Sequence, residues 1–300
     1  MACISIQSEA QISPIPFALT LLLKLSTYWF DYTTVCTIDS VLPPSLPLLL
    51  FIHEEISNII RKAPSKQCDL DPVPTWLVKT CCDLLSPTST KMVTMCLQQG
   101  IFPDSHKHAL VRPRLKKPSL DPLDIKSFRP ISNLSFLSKV AERLVVDRFN
   151  KHADLYHLLP PRQSAYRQHH STETAITIVR AIDAVEVSVL EFLDLSAAFD
   201  TVDHDILFDV LQKQFGVECC KLDWFRSYLS NHTQSFCFTS GQSAPVSLPC
   251  SVPQGCRIGL GPQEFIVYTE DIAKTIAAFS LNHHLYPDDN SSKRTYVLWI

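Results

Sequence analysis

The stretch VSVLEFLDLSAAFD (Val187–Asp200) limits the fold more than any other, because its apolar first half runs directly into a carboxylate. It is short enough to be a buried strand rather than a helix, and Asp194 falls at its end. An unpaired carboxylate there is costly unless hydrogen-bond donors or a cation meet it, and a metal ion is one such cation. Far downstream a second acidic pair occurs in LYPDD (Leu285–Asp289). Alone, that pair has ordinary turn composition, so a metal site requires the fold to bring both acidic positions together. Between them, PVSLPCSVPQGCRIGLGP gathers Gly255, Gly259 and Gly261, three of the chain's 6 glycines. Such clustering implies close backbone approach to something, or special turn torsions.

The 300 residues, 46% hydrophobic, suffice for one large or two ordinary domains with a substantial core. The 21 prolines imply many rigid turns, and no Gly/Ser-rich or repeated segment marks a boundary. A net charge of -3 argues against a uniformly basic coat. The charge is unevenly spread, however. Lys107, Arg112, Arg114, Lys116, Lys117, Lys126, Arg129, Lys139, Arg143, Arg148 and Lys151 face only Asp104, Asp121, Asp124, Glu142 and Asp147 in the same stretch. That segment is either a phosphate-facing surface or a solvated face. The 11 cysteines include no C-x-x-C pattern and two adjacent pairs, Cys81-Cys82 and Cys219-Cys220, which suits free thiols in a reducing compartment. The pairs His169-His170 and His283-His284 lack ligand partners at familiar spacing.

Residues 1–52 give no domain assignment. PFALTLLLKLSTYWF (Pro16–Phe30) is short for a membrane span, carries Lys24 and has no basic residue before it; VLPPSLPLLLFI (Val41–Ile52) is broken by prolines. From His53 the periodicity improves. Ile56, Ile59 and Ile60 form a helical stripe, and Trp76, Leu77, Leu84 and Leu85 suggest further helix. ALVRPRL (Ala109–Leu115) alternates like a half-exposed strand, and its proline favours an edge. Leu137, Val140, Ala141, Leu144 and Val145 mark an amphipathic helix. Ser171 can cap another, with Ala175, Ile178, Val179 and Ile182 as its stripe; Asp205 can start one carrying Leu207, Val210, Leu211 and Phe215. LDWFRSYL reads as helix and QSFCFTSG as strand.

Seven pieces occur in a fixed order: GIFPDSHKHALVRPRLKKPSLDP, FRPISNLSFLSKVAERL, QSAYRQHHSTETA, FLDLSAAFDTVDHDIL, LDWFRSYLSN, SVPQG and YPDD. In this the chain resembles the reverse transcriptase domain of LINE-type (non-LTR) retrotransposons, from about residue 53 to 289. The resemblance implies an α+β fold with the fingers and palm of a right-hand polymerase over residues 53–300, the palm being a small antiparallel sheet backed by helices. It implies RNA-directed DNA polymerase activity on an RNA template, a DNA primer and dNTPs, with two Mg²⁺ ions, or Mn²⁺ in their place. Asp194 and Asp288 would be the metal ligands, with Asp289 beside them. Phe199 would lie under the sugar of the incoming nucleotide and exclude a 2′-hydroxyl. Gln254, with Gly255 in the glycine loop, would contact nucleotide and template, and Arg129 with one of Lys116 or Lys117 would neutralise the triphosphate. An intracellular site, nuclear or cytoplasmic, follows, with no membrane partner and no indication of oligomeric state.

The sequence also departs from that family. Pro287 stands where the family has alanine in its Tyr-Ala-Asp-Asp box, and proline fixes φ and removes an N–H. CRIGL makes the glycine loop longer than usual, and Glu191 takes a normally apolar place beside Asp194. Only NSSKRTYVLWI follows Asp289, so a thumb is expected to be absent, as is a preceding endonuclease domain. These features imply a truncated, partly degenerate copy with impaired catalysis; the alternative is an inactive remnant that binds RNA or RNA–DNA duplex.

Overall fold

A computed structural model of the chain describes residues 4–6, 43–48, 52–66, 68–159, 190–195, 202–238, 241–248, 260–268, 270, 282–287 and 294–299. The helix expected after Ser171 lies outside them. The described residues combine helices with two small sheets, an α+β arrangement. The helices are α1 (His53–Lys62), α2 (Thr75–Thr80), α3 (Cys82–Gln99), α4 (Phe136–Leu155), α5 (His204–Phe215), α6 (Cys220–Leu229) and α7 (Leu260–Tyr268). The strands are β1 (Ile4–Ile6), β2 (His108–Leu115), β3 (Phe128–Asn133), β4 (Leu190–Leu195), β5 (His232–Phe238), β6 (Gly241–Gln242), β7 (Val246–Leu248), β8 (Asn282–Pro287) and β9 (Arg294–Trp299).

Helix periodicity translates into burial most directly in α4. Ser135 caps it by accepting from the Ser138 N–H (3.3 Å), and Val140, Ala141, Leu144 and Val145 are all buried, with Phe149 and Ala153 extending the stripe. α5 starts one turn-edge earlier than its sequence suggests. Asp203, not Asp205, is the cap, its carboxylate accepting from the N–H groups of Asp205 (3.0 Å) and Ile206 (3.2 Å). α2 and α3 form where expected, but their apolar side chains do not all turn inward. Trp76 is 61% exposed and Leu84 77%, while α3 buries Cys82, Ser86, Val93 and Leu97 instead.

One sheet runs β3-β2-β5-β6, with β7 also paired to β5. β2 is therefore not simply an edge. His108–Val111 pairs in parallel with β5 on one side, while Leu110–Leu115 pairs antiparallel with β3 on the other. The proline explains where the change comes. The Lys116 N–H donates to Ser127 O (2.8 Å), so counting back in twos puts Pro113 opposite Pro130 at a non-hydrogen-bonded pair. There the missing N–H of Pro113 faces the β5 side, where pairing has already stopped at Val111, and the missing N–H of Pro130 faces the open side of β3. The second sheet runs β1-β4-β9-β8 and is antiparallel throughout.

The core is assembled between the helices. Trp224 and Tyr228 of α6 stack at 5.4 Å, and Phe102 meets both edge-on at 5.6 and 5.1 Å. Such ring pairs add about 0.5–1.5 kcal/mol each beyond burial. Phe102 reaches them because Gly100 ends α3 in a left-handed conformation (φ 67°) and because its own N–H donates to Ser227 Oγ (2.9 Å). Residues 43–48, unassigned by sequence, belong to this core. Leu46 and Leu48 are wholly buried, the Leu46 N–H donates to Gly216 O (3.0 Å), and Lys221 Nζ donates to Ser45 Oγ (2.6 Å).

Candidate active site

The apolar strand that sequence ends on a carboxylate is β4, the inner strand between β1 and β9. Its register sets the position of residue 194. Asp194 pairs with Ser5 on one side and Thr295 on the other, and Thr295 in turn pairs with Tyr286. Ser5, Asp194, Thr295 and Tyr286 thus occupy one rung, followed by Leu195, Arg294 and Pro287 on the next. Since β4 and β8 are both antiparallel to β9, they run in the same direction and end at the same edge of the sheet. With adjacent strands about 4.8 Å apart, their ends are separated by roughly 10 Å. In the chain, Asp288 is the residue after Pro287, the last of β8. Asp288, Asp289, Phe199, Gln254 and Gly255 lie outside the described residues.

Pro287 is accommodated within β8, opposite Arg294. β8 is the last strand of its sheet and Pro287 its last residue, a place where a missing N–H is tolerated.

The basic candidates sit together on the other sheet. β2 and β3 form a hairpin whose ladder closes at Lys116, and residue 129 stands directly opposite Arg114. The connecting loop is built from tight turns: the Asp121 carboxylate accepts from the Leu123 N–H (2.9 Å), and the Ser127 N–H donates to Asp124 O (3.0 Å). Arg114, Lys116 and Lys117 are exposed, and among the described residues neither lysine has an ion-pair partner.

Much of the remaining basic segment is already neutralised. Arg112 pairs with Asp69, Lys107 with Asp104 (2.7 Å), Arg143 with Asp147 (3.1 Å), and Arg148 holds Glu55 through Nε (3.0 Å) and a terminal nitrogen (2.7 Å). Burial works to raise the Glu55 carboxyl, but the Arg148 hydrogen bonds and charge hold it below its ordinary value. Two of these partners, Asp69 and Glu55, are distant in sequence, so composition alone overstates the free charge. Lys116 and Lys117, without an ion-pair partner among the described residues, lie at the β2–β3 hairpin beside Arg114, where like charges would repel unless an anion joins them.

Among the described residues no group of three or more His, Cys, Asp or Glu side chains could hold a metal ion, and no helix is long and apolar enough to cross a membrane. All seven described cysteines, Cys68, Cys81, Cys82, Cys96, Cys219, Cys220 and Cys237, are free thiols.

Residues 115–291 match the family described as reverse transcriptase (RNA-dependent DNA polymerase). The chain is 30% identical over 245 residues to the Drosophila melanogaster "Probable RNA-directed DNA polymerase from transposon BS", covering 80% of this chain and 26% of that protein. It is 28% identical over 244 residues to the RNA-directed DNA polymerase from mobile element jockey of the same species, covering 78% of this chain and 26% of the relative. The jockey polymerase of Drosophila funebris is 26% identical over 244 residues, covering 79% of this chain and 26% of the relative. The chain therefore spans 26% of the length of these curated relatives. A strand carrying Asp194 next to its last residue, an antiparallel strand pair that continues its sheet and a family match over more than half the chain agree: this protein belongs to the reverse transcriptase family, as a domain of the LINE-type retrotransposon kind.

Proposed function

We propose that the chain forms the fingers and palm of a right-hand polymerase and extends a DNA primer on an RNA template. The sheet order β4-β9-β8 is the observation that best supports this reading, since it aligns the end of the Asp194 strand with the hairpin that leads into Asp288. In this reading β1-β4-β9-β8 is the palm sheet and the β2–β3 hairpin belongs to the fingers.

Asp194 and Asp288 would hold the divalent cations, Mg²⁺ or Mn²⁺, with Asp289 adjacent; carboxylate oxygens are the donors such hard ions take. When bound, a two-metal pair lowers the barrier to in-line attack by a primer hydroxyl and stabilises the leaving pyrophosphate. Arg129 and Lys116 or Lys117 would bind the triphosphate and offset its charge. Phe199 would close the sugar pocket against a 2′-hydroxyl, and Gln254 with Gly255 would orient the nucleotide on the template. Pro287 would restrict the turn into Asp288 and weaken catalysis, because its fixed φ limits the conformations of that hairpin.

Primer extension on an RNA template with Mg²⁺ and dNTPs tests the reading. The expected result is weak extension by the parent chain, loss of it in Asp194→Ala, and a several-fold gain in Pro287→Ala. No extension by either the parent or Pro287→Ala would overturn it. A second reading, a non-catalytic binder of RNA or RNA–DNA duplex, is favoured by Lys116 and Lys117, which are exposed and have no ion-pair partner among the described residues. It requires salt-sensitive binding that survives Asp194→Ala without any extension.

A further inference from the structure

Every described side chain of α7 is buried, so none of them offers a solvated place for a charge. Glu264 is nevertheless in its middle, 1% exposed, and neither carboxyl oxygen has a hydrogen-bond partner among the described residues. α7 packs against α4, and α4 contributes a second buried acid, Glu142, 3% exposed. Glu142 is better supplied: the Ser138 hydroxyl donates to its Oε1 (3.3 Å), and the Tyr228 side chain of α6 favours its charged form.

We propose that Glu142 and Glu264 form a proton-controlled clasp between α4 and α7, closed while Glu264 is protonated and forced open when both carboxyls ionise. The surroundings leave few other ways to offset the charge. Among the described residues the cation that acts on Glu142 is Lys139 of α4. α6 contributes the neutral Tyr228. α5, which also packs on α7, has Asp203 and Asp205 exposed at its start, His204 against Phe208, and Asp209 paired with Lys213 (2.8 Å). Tyr268 and the buried Glu270 are the other described titratable groups on the α7 side, and α1 meets α4 through the Glu55–Arg148 pair. No third carboxylate, His or Cys joins the two acids among the described residues, and a proton on Glu264 removes its charge without any further partner.

The electrostatics point the same way. Burial pushes the Glu142 carboxyl up to about 7, against its hydrogen bonds and Lys139. Burial, and then the charge of Glu142, push Glu264 well above the ordinary carboxylate range. Carboxyls raised on folding bind protons more tightly in the folded state, so their contribution is complete below the unfolded value of 4.5 and is lost as pH rises through and beyond 7. The clasp itself does not depend on the polymerase reading, and its test needs no activity.

Urea unfolding of the full chain, of Glu264→Gln and of Glu142→Gln at pH 5.5 and 8.5 provides the test. Histidines buried neutral, such as His152 and His232, titrate with the opposite sign, so the informative quantity is the ratio of unfolding constants between parent and variant. The parent should lose at least tenfold relative to Glu264→Gln between the two pH values, and Glu142→Gln should reduce that loss. Glu264→Leu should stabilise the chain most at pH 8.5. A parent-to-Glu264→Gln ratio unchanged with pH, or Glu264→Leu destabilising at pH 8.5, would overturn the proposal.

Discussion

Gly216 ends α5 with φ 65°, and a Cβ built there would stand 2.5 Å from Pro44 O and 3.0 Å from Pro43 O. The left-handed conformation alone costs an L-residue about 1–2 kcal/mol, and the backbone oxygens of residues 43 and 44 cannot rotate away as a side chain could. Gly216→Ala is therefore expected to destabilise by about 2 kcal/mol or more, measured by urea unfolding, and to free residues 43–48 first, seen as faster amide exchange at Leu46. Trp224 is a different kind of residue effect. It is 1% exposed and touches Phe102, Phe225 and Tyr228, so Trp224→Ala should cost about 3–5 kcal/mol. Trp224 belongs to LDWFRSYLSN, one of the pieces that mark the family, yet it acts in the core. Such motifs mix packing with chemistry, and sequence alone does not separate the two.

At the scale of elements, α4 and α6 were legible because helical periodicity is local: the residues that define the stripe also bury it. β2 was only half legible. Pro113 predicts an edge, and Arg112–Leu115 is one on the β5 side, but His108–Val111 is interior because β5 joins from more than a hundred residues away. Residues 43–48 were opaque for the same reason, since their prolines adopt a conformation fixed by docking onto Gly216 rather than by a local pattern. The clamp between α1 and α4 is likewise non-local. Arg148 holds Glu55 with two hydrogen bonds, and Glu55 also reaches back to the Ile52 N–H (3.3 Å) at the start of α1. Because Glu55 is held below its ordinary value of 4.5, its contribution is present above that pH and is lost as pH falls through the folded value. Arg148→Gln should cost about 1.5–3 kcal/mol at pH 7 and much less at pH 3, measured by urea unfolding at each pH.

For the whole molecule, a net charge of -3 opposes binding to a polyanion, so any nucleic-acid affinity must come from where the positive charge is placed. The strand that carries Asp194 was readable because its short apolar run is local; which cations lack a partner among the described residues was not, because counting residues cannot show which are paired. Arg112, Lys107, Arg143 and Arg148 are committed to acids, whereas Lys116 and Lys117 project from a turn-braced hairpin. Each phosphate neutralised by such a lysine contributes about 0.7 to the slope of log K against log salt for single strands and about 0.9 for duplex DNA. Lys116→Gln combined with Lys117→Gln should therefore lower the slope for single-stranded RNA by about 1.4 and weaken binding almost equally for unrelated sequences. Fluorescence anisotropy of a labelled RNA between 50 and 200 mM salt, conditions over which phosphate contacts dominate the change, reads this directly. Arg143→Gln serves as the control, since its charge is already met by Asp147, and it should leave the slope unchanged. An equal loss of slope in both would place the contacts on the general charge of the chain and remove the hairpin's special role.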